Sequence, residues 1–224
     1  MPFLRSRFFL DAVLVAVLQS LVVCPAALLW FSGSANAAVL ISEVLPDPAS
    51  DWDADGEIDS RGDEWVEVIN TGPGPVDLDA YYLRDALGDD PQIRFSGTLA
   101  AGETALFLGS DALAWQAAEG LSATGLSLNN AGDMLELYLG HPLEGASTLV
   151  DALIYPDHAG VDDRSLARFL PEDVWVLCDG LHPYGGAQEP PGTGCLPTPG
   201  EINTCAGLVA DESSSWGQVK NDYR

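Results

Sequence analysis

Turns cut the region from Ala38 to Cys178 into about nine short windows, spaced about every 8–12 residues. The clearest window is "DEWVEVIN" (63–70). There Trp65, Val66, Val68 and Ile69 lie among Glu64, Glu67 and Asn70, which is the alternation of a strand with one buried face. The other windows are "AVLISEVL" (38–45), "VDLDAYYLRD" (76–85), "IRFSG" (93–97), "ETALFLG" (103–109), "DMLELYLG" (133–140), "TLVDALIY" (148–155), "RSLARF" (164–169) and "DVWVLC" (173–178). Only "SDALAWQAAEGL" (110–121) reads as a helix, with Ser110 as its cap. Strands and helices do not alternate, so a parallel α/β sheet is excluded as the expectation. The pattern predicts an all-β, antiparallel sandwich with one short helix.

The first 37 residues read as an export signal. Arg5 and Arg7 precede an apolar stretch from Phe8 to Phe31, and Ala35-Asn36-Ala37 offers an A-x-A cleavage site before Ala38. An uncleaved anchor is the alternative, because 24 residues of helix would cover about 36 Å. Asp11, Gln19, Ser20 and Pro25 interrupt that stretch, which favours cleavage. The expected organisation is a signal peptide over 1–37, a sandwich over 38–205 and a flexible tail over 206–224. The expected location is secreted, periplasmic or cell-surface, with no membrane attachment after cleavage.

Charge narrows the partners. The formal net charge is −25, and removal of Arg5, Arg7 and Asp11 with the signal leaves −26. Nucleic-acid backbones are gripped by clusters of Lys and Arg, so nucleic acid is excluded as a partner. Calcium, a basic protein or a surface polymer suits such a chain.

Export permits disulfides. Beyond the signal stand Cys178, Cys195 and Cys205, an odd number. A bridge from Cys178 to Cys195 would pin the last strand to the loop after it, and Cys195 with Cys205 is the alternative.

In order along the chain occur "ISEVLPDP", "DEWVEVINTGPGPVDLDAYYLRD", "GLSLNNAGDMLELY", "VDALIY" and "PTPGEIN". Together they resemble the lamin tail domain in its secreted bacterial form, over roughly Ala38 to Asn203. The resemblance implies an immunoglobulin-like β-sandwich that serves as an interaction module. It carries over no catalytic residues.

The long loop between the first two strands holds "DWDADGEIDS" (51–60). Calcium takes hard oxygen ligands at alternate loop positions, with a glycine at the sharp turn. Asp51, Asp53, Asp55, Gly56, Glu57 (through its carbonyl) and Asp59 fit the D-x-D-x-D-G core of such a loop. Two features depart from it. Gly62 stands where a bidentate glutamate is expected, and strands rather than helices flank the loop. Asp63 and Glu64 follow closely and are expected to complete the shell of a structural calcium ion.

Other constellations are less specific. His141, His158 and His182 are the only histidines. Ser110 lacks the strained elbow of a hydrolase nucleophile. "DHAGVDD" (157–163) gathers a histidine and three aspartates, which reads as a polar hairpin loop or a second metal site. The function expected is an exported, non-enzymatic module for binding or scaffolding. The alternative is a secreted metal-dependent hydrolase or its accessory module.

Overall fold

The structure, a computed structural model, describes residues 39–88, 90–160, 162–179 and 193–205. The expected signal peptide, the 206–224 tail and His182 lie outside the described residues.

Two antiparallel sheets face each other. The first runs β11–β10–β1–β2–β7, from β1 (Val39–Leu45), β2 (Trp65–Asn70), β7 (Thr104–Leu108), β10 (Ser165–Phe169) and β11 (Val174–Cys178). The second runs β5–β4–β8–β9, from β4 (Tyr81–Asp85), β5 (Ile93–Arg94), β8 (Gly132–Leu139) and β9 (Thr148–Pro156). A small ladder pairs β3 (Val76–Asp77) with β6 (Thr98–Leu99). This is the antiparallel sandwich expected from the pattern of short strands, and the immunoglobulin-like fold that the resemblance implies.

The core lies between the sheets. Ile41, Val66, Val68 and Phe107 from one sheet meet Leu83, Leu135, Leu137 and Leu153 from the other, with Phe95 and Phe107 rings 4.4 Å apart. Each such side chain removed from water contributes about 1.5–3 kcal/mol. A polar tie reinforces the packing. Asp151 of β9 accepts the Ile41 amide at 2.8 Å and pairs with Arg168 of β10 at 2.7 Å.

The window 76–85 is not one strand. Asp77 accepts the Asp79 amide and caps a 3-10 turn over Leu78–Ala80, which buries Leu78 and splits β3 from β4. The helix α2 spans Gly109–Glu119 and ends at Gly120, left-handed at φ +73°. Its N-cap is Leu108 rather than Ser110. The Asp111 carboxylate reaches back to the Leu108 amide at 3.0 Å, so the cap bond comes from inside the helix.

Every residue of β2 is buried, the outward-facing Glu67 included. The cover comes from the far end of the chain. Residues 198–203, within "PTPGEIN", fold back over the outer face as a strap. The Thr198 amide and hydroxyl donate to Glu43, the Gly200 amide donates to Glu67 at 2.7 Å, and Asn203 Nδ2 donates to the Ser42 carbonyl at 3.0 Å.

The disulfide also differs from the Cys178–Cys195 expectation. Cys195 is bridged to Cys205, with Cα atoms 5.2 Å apart, and Cys178 is a buried free thiol. The strap explains this. It turns at Glu201, whose amide donates to the Thr198 carbonyl, and brings Cys205 back to Cys195. Cys178 points among Ala167 and its neighbours, where burial pushes its thiol up to about 12.

Candidate metal centre

The loop from Pro46 to Asp59 joins β1 to a single helical turn, α1 (Ser60–Asp63), which leads into β2. Two buried aspartates shape it. Asp63 accepts the amides of Trp52 (2.6 Å), Asp53 (3.1 Å) and Asp59 (2.9 Å). Asp163, from the turn before β10, accepts the Ala49 amide (2.9 Å), the Ser50 hydroxyl (2.6 Å) and the Trp52 indole N–H (3.0 Å). Trp52 is thereby held from both sides, and its ring meets Trp65 edge-on at 5.9 Å.

Within this frame the loop wraps on itself. Asp51 accepts the amides of Asp55 and Gly56, Asp53 that of Asp55, and Asp55 that of Glu57. Gly56 takes φ +95°, the conformation that only glycine adopts cheaply. Asp59 caps α1 by accepting the Arg61 and Gly62 amides, both at 2.8 Å. A Cβ on Gly62 would stand 2.9 Å from Asp53 Oδ2, so a bare backbone is what lets Asp53 approach.

The result brings together three of the seven expected ligands. Asp51, Asp53 and Asp63 each present a carboxylate oxygen, all within 4.8 Å of one another, and they grade from exposed to buried. The carboxylates of Asp55 and Asp59 stand outside the group. So does Glu64, because the chain passes from helix to strand at that point and adjacent side chains part. Its carboxylate is buried and accepts the Leu128 amide at 3.0 Å. Burial pushes it up to about 8, the Leu128 bond opposes this, and the charge of Asp47 adds to it.

Three carboxylates this close repel one another strongly unless a cation joins them. Among the described residues no ion pair involves them. Arg61, the neighbouring cation, is turned away to the Ala123 carbonyl. The donor set is hard oxygen, which suits calcium or magnesium rather than a soft metal.

Asp163 is the organising residue that sequence reading missed. The "DHAGVDD" segment reads in the sequence as a polar hairpin loop or a second metal site, neither of which gives Asp163 a role in the first loop. Asp163 in fact sits at φ +50°, fully buried, with its side chain spent on the loop. His141 packs edge-on against Tyr82 at 5.0 Å.

Comparison with known proteins gives one family, the lamin tail domain, which matches residues 32–156. No curated protein and no solved structure matches the chain. The matched stretch holds the acidic loop and β1 to β9, while β10, β11 and the strap follow it. A match over more than half of the 224 residues, on an antiparallel sandwich of the kind its motifs imply, makes this chain a member of the lamin tail domain family, whose domains are immunoglobulin-like and non-enzymatic.

Proposed function

We propose that the chain acts outside the cytoplasm as a binding or scaffolding module, with one calcium ion holding its first long loop. The observation that carries this reading is the convergence of Asp51, Asp53 and Asp63. These three are the ligands. Calcium takes six to eight oxygens, and waters and loop carbonyls supply the others. The ion neutralises the three carboxylates and locks the loop to β2 through Asp63.

Two features support the location. The N-terminal stretch has the composition of an export signal, and Cys195–Cys205 is a disulfide, a bond that persists in oxidising compartments. Among the described residues no helix is long and apolar enough to cross a membrane. A net charge of −25 sets the surface against phosphate backbones and towards basic partners.

The test is thermal unfolding of the full chain in calcium and in chelator, with Asp53→Asn as the variant. Asn keeps the oxygen that accepts the Asp55 amide and removes the charge. In the weak extracellular class, with Kd about 10⁻⁴–10⁻³ M, about 10 mM calcium stabilises by about 2 kcal/mol. A rise in Tm that the variant loses supports the ion. Identical curves for the unaltered chain in calcium and chelator remove it. N-terminal mass spectrometry of exported protein tests the leader, with a start at Ala38 expected.

A further inference from the structure

On the opposite side of the β4–β5 ladder from the core lies a second site. Tyr81 and Leu83 point inward and are buried, so Tyr82 between them faces out, directly across from Arg94 of β5. Trp115 flanks it from α2, and His141 stands edge-on to the Tyr82 ring from the β8–β9 loop. These rings line a cleft of about 430 Å³. That volume is in the range of small-ligand pockets, about 300–1,000 Å³.

Three carboxylates complete the lining: Asp90 from the β4–β5 loop, Glu119 one helical turn beyond Trp115, and Glu144 beside His141. None of the three makes a side-chain hydrogen bond or ion pair among the described residues. Elsewhere in the sandwich, Arg84 is met by Glu136 and Arg168 by Asp151 and Asp173. In the cleft, three carboxylates against Arg94 alone leave two negative charges in excess.

Aromatic faces attract cations, and carboxylates form charge-assisted hydrogen bonds with ammonium and guanidinium groups. A sugar would stack on the rings but leave the excess charge unmet. We propose that this cleft binds a lysine or arginine side chain of a basic polypeptide partner. The aliphatic stem lies along Tyr82 and Trp115, and the charged head reaches the carboxylates. The strongly acidic chain as a whole draws such a partner in before the cleft selects its side chain. This rests on reading the chain as a binding module and supplies the chemistry of its partner.

The experiment is calorimetric titration of the full chain, in calcium, with a blocked tetralysine peptide. Its Nε-acetylated form and a neutral oligosaccharide serve as the other two ligands. One site is expected for tetralysine and none for the acetylated peptide. Glu119→Gln with Glu144→Gln weakens binding about tenfold. Glu172→Gln with Glu201→Gln, which removes the same charge from exposed positions outside the cleft, leaves it nearly unchanged. Tyr82→Ala weakens it about fivefold at constant charge. Each variant is melted first, to show that it folds. Equal losses in the two glutamine pairs would reduce the effect to overall charge and overturn the site. So would equal binding of the acetylated peptide, no binding of tetralysine, or oligosaccharide binding that Tyr82→Ala abolishes in place of peptide binding. The calcium dependence of Tm, read on the same samples, tests the loop separately, so either proposal can fail without the other.

Discussion

Glu43 and Glu67 stand opposite each other in the β1–β2 ladder, and one strap covers both carboxylates. Burial raises each of them. Glu67 is pushed up to about 7, with its bonds to Ser42 and Gly200 working the other way and the charge of Glu43 adding to the rise.

A pH dependence follows from that pair. A carboxylate raised in the folded state holds its proton more tightly than in the unfolded chain. Its folded form therefore carries no penalty below the unfolded value of 4.5, and stability declines as pH climbs from there to about 7. For Glu67 each pH unit in that window costs about 1.4 kcal/mol, and Glu43 shifts in the same direction. The chain is expected to melt higher at pH 5 than at pH 8, and Glu67→Gln to reduce the difference, leaving the share of Glu43 and Glu64. A Tm that rises from pH 5 to pH 8 contradicts this.

Asp163→Asn isolates the frame of the loop from the calcium proposed for it. Asn tolerates φ +50°, so backbone strain is not added. What goes is a charged acceptor serving Ala49, Ser50 and Trp52. The expected loss is about 1–3 kcal/mol in denaturant unfolding, with and without calcium. A loss confined to calcium buffer would instead place Asp163 among the ligands.

Gly109 lets α2 approach α1. A Cβ there would stand 2.3 Å from the Arg61 carbonyl oxygen, and backbone cannot swing aside as a side chain can. Gly109→Ala is expected to cost about 1–3 kcal/mol, although alanine favours helix. Gly74→Ala, where a Cβ meets nothing within 4 Å, is the paired control and stays close to the parent.

Cysteine chemistry checks the strap. Cys195→Ser opens the Cys195–Cys205 loop and removes up to about 3 kcal/mol in the chain-entropy model. Cys178, buried and with its thiol held protonated, is expected to resist alkylation until the protein unfolds. Peptide mapping without reductant should recover the 195–205 bridge. Recovery of a 178–195 bridge would reverse the assignment.

The sandwich was legible because its signals are local. Alternation in "DEWVEVIN" and glycines at turns are written within a few residues of what they determine. The approach of Asp51 to Asp53 was legible for the same reason, since a short wrap brings them together. The membership of the site was not. Asp63 and Glu64 are neighbours in sequence, yet one faces the loop and the other faces Leu128, because a helix becomes a strand between them. The two-residue strand Thr98–Leu99 is too short to show a period. The burial of Glu67 could not be read from an alternating strand that looked half-exposed, because its cover arrives from Gly200, 133 residues later.

That distance sets an order of events. Synthesis delivers β1 first, yet Glu43 meets Thr198 only 155 residues on, and Ser42 meets Asn203 after 161. The opening strand thus waits, its Glu43 carboxylate wet, until the chain through Asn203 has emerged. Non-local closure of this kind slows folding, so a nascent chain stalled before the strap would keep the outer face of its central strands uncovered and open to chaperones.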